Sequence, residues 1–222
     1  AIFSPFKPYV IKAINKINDL KLDMVCTGHG PVLDTRIDEI IETYRNWSTP
    51  AKKEGPKKVV MPYVSAYGYT GELAEAITKG IHEVDPTIQV IPYNLDILNY
   101  PQKKDEILAH FEDADGILLG TCTINGDALP IIWDLSINLN PIVHGGKIVS
   151  AFGSYGWSGE GVDNIMDRLH QLRMKVIDGF KIKFRASESE TQAAIDFGKL
   201  FANSLLTGKV PARKKETSAA LT

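Results

Sequence analysis

The chain of 222 residues has little cysteine, almost no net charge and no long apolar run, and each shortage excludes something. Its two cysteines, Cys26 and Cys122, stand far apart and neither belongs to a CxxC pair. Zinc sites and thioredoxin-type exchange therefore lack their ligand pattern, and a reducing, cytoplasmic location fits best. Lys and Arg total 25 against 27 Asp and Glu, a formal net charge of -2. Nucleic-acid binding needs a clustered basic surplus. The one basic cluster, Arg213-Lys214-Lys215, lies in a C-terminal tail and reads as a solvated end. No apolar run approaches the roughly 18 residues that span a bilayer. The first six residues have no basic segment followed by an apolar one, so they do not read as a secretory signal. The expectation is a protein with neither nucleic acid nor membrane as a partner.

What is present suits one ordinary domain with an appendage: 44% of the residues are hydrophobic, enough for a normal core. The stretch 48–58 is polar and broken by Pro50, Gly55 and Pro56, so a boundary is expected there. The domain is placed at 58–210, with a linker over 51–57 and a tail over 211–222. After the boundary, strand and helix patterns alternate. Strands are expected at 58–65, 87–92, 115–120, 147–152 and 180–184. Helices are expected at 72–84, 103–111, 128–139, 161–172 and 190–206. The first helix carries Leu73, Ala76, Ile77, Gly80 and Ile81 at helical spacing. The strand at 115–120 shows no in-out alternation, as a strand buried on both faces should. Five strands alternating with five helices predict an α/β fold with a doubly wound, five-stranded parallel sheet. Such sheets bind ligands beyond the carboxyl ends of their strands, at the switch point. The loops after the first, third and fourth strands should carry the chemistry.

Those loops are unusual. The first, 65–70, reads Ser65-Ala66-Tyr67-Gly68-Tyr69-Thr70. Hydroxyls bracket a glycine at a helix start, where free backbone N–H groups and the helix dipole favour an anion. No Lys or Arg is present, and neither a Walker loop nor a GxGxxG fingerprint is formed. The same residues would also serve as a simple helix cap with Thr70 as the capping group. The second loop, 121–127, holds Cys122, Thr123, Ile124, Asn125 and Gly126, which offer an apolar side chain and polar backbone to a flat ring. A turn and helix cap at Asn125-Gly126-Asp127 is the alternative. The third, 153–161, has Ser154, Tyr155, Gly156, Trp157, Ser158 and Gly159 among four glycines and two aromatics. Glycine costs backbone entropy and an exposed aromatic costs hydration, so a planar aromatic ligand explains both better than packing does. A phosphate site after the first strand and aromatic-rich loops after the third and fourth describe a mononucleotide with a ring system, FMN. Ser65 to Thr70 would hold its phosphate, Cys122 to Gly126 would meet one side of the ring, and Ser154 to Gly159 the other.

The strings SAYGYT, GTCTINGDALP and GSYGWSGEG resemble the flavodoxin-like domain of flavodiiron proteins (A-type flavoproteins). The resemblance extends ahead of the linker. Residues 22–31 are similar to the closing strand and loop of a metallo-β-lactamase-like domain, so 1–50 would be a remnant of that domain. The histidine of its Gly-His-Gly-Pro turn, here His29, is a diiron ligand in the family. The family's HxExDH motif and its further upstream ligands are absent, so the resemblance implies diiron only together with an N-terminal domain. It implies an oxidoreductase that reduces oxygen or nitric oxide, with this chain transferring electrons through FMN. It also implies a homodimer or association with that N-terminal part, and a redox partner such as rubredoxin or a flavin reductase. The alternative is a stand-alone FMN oxidoreductase of the quinone-reductase type, which has no use for a GHGP turn before the first strand. A receiver-like signalling domain would need acidic residues clustered at the strand ends, where these loops are neutral and aromatic.

Overall fold

The computed structural model describes residues 6–49 and 55–212. The chain divides into two compact units between residues 54 and 55. Positions 51–54 of the expected linker and 213–222 of the expected tail lie outside the described residues.

The first unit is two helices, α1 (Lys7–Ile17) and α2 (Ile37–Ser48), joined by an irregular segment. That segment closes on itself through an antiparallel bridge between Val25 and Leu33, with N–H···O bonds of 2.8 and 3.0 Å. His29 lies exposed in the turn between them, where the Thr27 hydroxyl donates to the Pro31 carbonyl (3.2 Å). An open apolar cleft of about 290 Å³ runs between the helices, lined by residues such as Val10, Ile14, Ile37 and Ile41.

The second unit is a parallel sheet between two helical layers. Its elements are β1 (Lys58–Val64), α3 (Tyr69–Val84), β2 (Gln89–Leu95), α4 (Tyr100–Asp113), β3 (Gly116–Ile124), β4 (Asp127–Ala128), α5 (Pro130–Ile137), β5 (Ile148–Tyr155), α6 (Glu160–Gln171), β6 (Lys175–Val176), β7 (Phe180–Lys183) and α7 (Glu188–Thr207). The strand order is β2-β1-β3-β5, followed by β6 and β7, which both pair with β5. The order reverses between β1 and β3, which puts the switch point there. Alternation along each strand feeds two cores. Val60, Ile117, Leu119 and Val149 face α4, α5 and α6, packing on Ile107, Phe111 and Leu169. Val59, Met61, Leu118 and Phe152 face α3 and α7, packing on Ile77, Ile81 and Phe201. Both faces being buried is why the strands read as unbroken apolar runs.

Helices α3 and α7 meet at glycines. A Cβ at Gly80 would stand 1.9 Å from the Ile195 carbonyl oxygen, and one at Gly198 would stand 2.2 Å from that of Ile77. Helix α7 starts with a capping box: the Ser187 hydroxyl accepts from the Glu190 N–H, and the Glu190 carboxylate accepts from the Ser187 N–H.

The elements match the expected order, with three differences that matter at the sheet's carboxyl edge. Strand β3 runs on through Ile124 and turns back tightly: Asn125 and Gly126 have φ of 53° and 74°, and Ile124 pairs with Asp127. This is the Asn-Gly hairpin turn that left-handed backbone at two successive residues requires. Strand β5 likewise takes in Gly153, Ser154 and Tyr155. The fifth position is two segments, because three residues, Ile177 to Gly179, stand opposite two of β5, Ser150 and Ala151. The buried Ser150 hydroxyl donates to the Ile177 carbonyl (2.8 Å) and holds the bulge.

Candidate functional site

The site is built where β1, β3 and β5 end. Gly68, at φ 88°, ends the first loop and starts α3 without any side-chain cap; Tyr69 and Thr70 are the helix's first two residues. The Gly71 N–H donates to the Ser65 hydroxyl (3.2 Å) and that of Glu72 to the Gly68 carbonyl (3.0 Å). The N–H groups of Tyr69 and Thr70 are left as the orphan donors of the helix start. The position a Cβ would take at Gly68 has no atom within 4 Å, so the turn is open to a ligand. Neutral donors around a helix dipole fit a phosphate.

Cross-strand contacts tie the three loops together. Cys122 on β3 and Ser154 on β5 are register partners. The buried Thr70 hydroxyl and the Ser154 hydroxyl share a hydrogen bond of 3.0 Å. Burial pushes the Cys122 thiol up, with the Ala66 N–H pointing at its sulfur and acting the other way. The Gly161 N–H donates to the Thr123 hydroxyl (3.2 Å). A Cβ at Gly161 would lie 2.9 Å from that hydroxyl oxygen and 3.0 Å from the Ala128 nitrogen, so a larger residue would have to displace the Thr123 side chain or the hairpin turn.

Around these buried contacts stands an apolar rim. Tyr67 is 84% exposed, Trp157 95% and Ile124 49%. Ala66, Asn125, Gly126 and Ser158 are exposed, and Tyr155, Gly156 and Gly159 are half-buried. Two large aromatics displayed almost completely to water, flanking a helix N-terminus, suit a flat ring carrying a phosphate. Beside the hairpin turn a groove of about 480 Å³ follows β4 and α5, lined by Ile124, Asn125, Leu129 and Trp133.

The predicted residues thus converge, yet Thr70 is only 1% exposed and spends its hydroxyl on Ser154. It is not the helix-capping residue; Gly68 occupies that place. Sequence reading missed the residues that hold the loops. Asp127 accepts at one carboxylate oxygen from the Ala128 N–H, the Trp133 indole N–H and the Asn164 amide, at 2.7 to 2.9 Å. The Asn164 bond is the first cause that holds its carboxyl below the usual range. Arg185, far off in sequence, grips Glu72 in the first turn of α3 through two contacts of 3.0 Å. No motif points to Arg185. The remaining sequence candidate, His29, belongs to the first unit, and among the described residues no three His, Cys, Asp or Glu side chains gather as metal ligands. No helix among the described residues is long and apolar enough to cross a membrane.

Comparison with known proteins sets this geometry in a family. Residues 62–198 match the flavodoxin family. The flavo-diiron protein FprA2 of Clostridium acetobutylicum is 40% identical over 210 residues, covering 92% of this chain and 51% of that protein. A flavodoxin from the domain Archaea superposes with a TM-score of 0.55 at 29% identity, over 67% of this chain and 99% of that one. The rubredoxin oxygen:oxidoreductase from Desulfovibrio gigas has a similar fold (TM-score 0.66, 20% identity), over 92% of this chain and 50% of that one. The chain spans about half the length of the curated relatives it matches. It belongs to the flavodoxin family, and its flavodoxin domain is the FMN-binding kind found in flavodiiron proteins.

Proposed function

We propose that the second unit holds FMN at the ends of β1, β3 and β5 and serves as the electron-carrying module of a flavodiiron oxidoreductase. The observation that carries this reading is the convergence of the orphan N–H groups of α3 with Tyr67, Ile124 and Trp157 at the switch point. Residues Ser65 to Thr70 receive the phosphate. Thr123, Ile124 and Asn125 meet the ring on one side, with Cys122 and Gly126 behind the turn. Tyr155, Gly156 and Trp157 meet it on the other, with Ser154, Ser158 and Gly159 shaping the loop. When bound, FMN supplies one- and two-electron redox chemistry, and the protein's part is to orient the ring and set its access to water.

The reaction of the whole protein, reduction of oxygen or nitric oxide at a diiron centre, belongs to the reading by relationship with the flavodiiron proteins. In that reading residues 1–50 are the end of a metallo-β-lactamase-like domain and His29 is one iron ligand. The rest come from a segment this chain does not contain. A homodimer and a rubredoxin or flavin-reductase donor follow from the same relationship, as does a cytoplasmic location. The test is direct. The purified chain, reconstituted with flavin, should be yellow and release FMN, not FAD, on acid treatment, and iron should remain far below two per chain. Bound FAD, or no bound flavin with excess FMN, would refute the site. Stoichiometric iron would refute the assignment of the missing ligands.

A further inference from the structure

We propose that the Glu72–Arg185 ion pair is the electrostatic control of the phosphate site, with Arg185 cancelling a carboxylate that otherwise repels the ligand. The inference rests on the reading that FMN phosphate binds at the start of α3. Glu72 stands in the first turn of that helix, where a carboxylate stabilises the helix dipole. The same position sets it beside an incoming phosphomonoester, which carries about -1.5 to -2 charges near neutral pH. An uncompensated Glu72 therefore opposes binding, and the loop 65–70 has no cation to offset it.

The cation comes from the other end of the domain. Strand β7 ends at Lys183, and Phe184 then takes a left-handed backbone, φ 62°, with its N–H bonded to the Tyr155 carbonyl (2.7 Å). A bulky residue at positive φ is uncommon and is held only where surrounding contacts impose it. Its ring lies against Gly156, where a Cβ would stand 3.1 Å from it. The turn delivers Arg185 to α3, where Nε and a terminal guanidinium nitrogen both reach the Glu72 carboxylate at 3.0 Å. A two-point Arg–carboxylate contact fixes geometry as well as charge. The pair is solvent-facing, with side chains 69% and 42% exposed, so its leverage is modest and sensitive to salt. Of the two lysines on β7, Lys181 is occupied by Asp163 (2.5 Å) and the Gly159 carbonyl (3.1 Å), and Lys183 holds its ammonium over the Phe184 ring, 5.9 Å from the centroid.

The experiment titrates FMN and riboflavin into the parent chain, Arg185→Gln, Glu72→Gln, the double variant and Arg185→Lys. Salt is raised from about 0.01 to about 1 M, which cuts the screening length from about 30 to about 3 Å. Arg185→Gln should weaken FMN about two- to fivefold at low salt, and its affinity should rise with salt as repulsion is screened. Glu72→Gln should tighten FMN by a similar factor, and its affinity should fall with salt. The double variant and Arg185→Lys should return towards the parent's shallow slope. Riboflavin should bind all five proteins alike. Salt slopes of the same sign in the two single variants overturn the proposal, as do equal shifts for riboflavin, or an Arg185→Lys that behaves like Arg185→Gln. If the parent prefers FMN to riboflavin and these slopes do not appear, the proposal alone falls. If the parent has no preference for FMN, the phosphate reading beneath it falls as well.

Discussion

The two units of the chain use their apolar residues in opposite ways. In the second, Val59 to Met61, Ile117 to Leu119, Phe111, Phe152 and Phe201 are removed completely from water. In the first, Ile14 is the one described hydrophobic residue that is buried, while Tyr9, Leu20, Met24, Val32 and Trp47 are all more than half exposed. Helices α1 and α2 carry apolar residues that their own unit does not cover, and the cleft of about 290 Å³ between them is lined by aliphatic side chains. Burial of apolar area is the main driving force of folding. The second unit has it on both faces of the sheet, and the first has very little.

This contrast can be broken most easily by the largest expected effect. Phe201→Ala should lower the stability of the second unit by about 3–5 kcal/mol, the cost of emptying a buried aromatic site. Trp47→Ala, on a side chain 66% exposed, should change stability by less than about 0.5 kcal/mol. Urea unfolding followed by far-ultraviolet circular dichroism compares them. A Trp47 effect as large as that of Phe201 would show that the first unit's stability is not the weak one. Hydrogen exchange sharpens the same point: amides of α1 and α2 should exchange through openings of lower free energy than those of β3.

Next in size is Thr70→Val. If Thr70 reaches the phosphate, FMN affinity should fall by about 1.5–3 kcal/mol, one to two decades, with riboflavin little changed. The structure adds a second consequence, because Val leaves the buried Ser154 hydroxyl without its partner. Losing a buried hydrogen-bond partner costs about 1–3 kcal/mol of stability. Equal weakening of both flavins would make Thr70 a link between α3 and β5 and not a phosphate ligand. Smaller again is Ser187→Ala, which removes the α7 capping box and should cost about 1 kcal/mol in thermal or urea unfolding of the second unit. No measurable loss would mean that α7 is held by Gly198, Phe201 and Leu205 alone.

What could be read from the chain follows the same divide. The sheet was legible because strand segments buried on both faces are apolar without alternation, as Ile117 to Leu119 of β3 are. The loops at 65–70 and 153–161 stood out in the chain because glycine and aromatics together have few structural uses, and the structure leaves Tyr67 and Trp157 exposed; that these loops hold a phosphate and a ring is the proposal. The hairpin after β3 was signalled by Asn125-Gly126, but the strand's run to Ile124 was hidden because Thr121, Cys122 and Thr123 are not plainly apolar. Strand β6 is two residues, too short for any period to show. The start of α7 was available in Ser187 and Glu190, a spacing that apolar periodicity passes over. The Arg185–Glu72 pair was illegible in principle, since the contact spans 113 residues and depends on the left-handed turn at Phe184.

The smallest expected effect concerns Asp127, whose carboxylate joins the hairpin turn to α5 and α6. Three donors meet one oxygen, and an Asn at this position keeps an acceptor oxygen for them. Asp127→Asn therefore isolates the charge. The folded carboxyl titrates below its usual value of 3.8, the bond from Asn164 being the largest cause, and the unfolded one titrates near that value. A depressed pKa stabilises the fold when the pH is above the unfolded value. That stability begins to go as the pH falls to about 4, and it is gone below the folded pKa. The parent should thus be slightly more stable than Asp127→Asn at neutral pH, with the difference constant down to about pH 5 and closing below pH 4. The group is solvent-accessible, so the gap should be small and should narrow in high salt. Lys104 first, then Tyr100, holds the Asp134 carboxyl below its usual range, so Asp134→Asn serves as a second case. Urea midpoints of parent and variants across pH 3 to 7 measure the gap. A gap that widens on acidification would mean that the Asp127 bonds are made by the protonated acid, and that the hairpin turn is not held by charge.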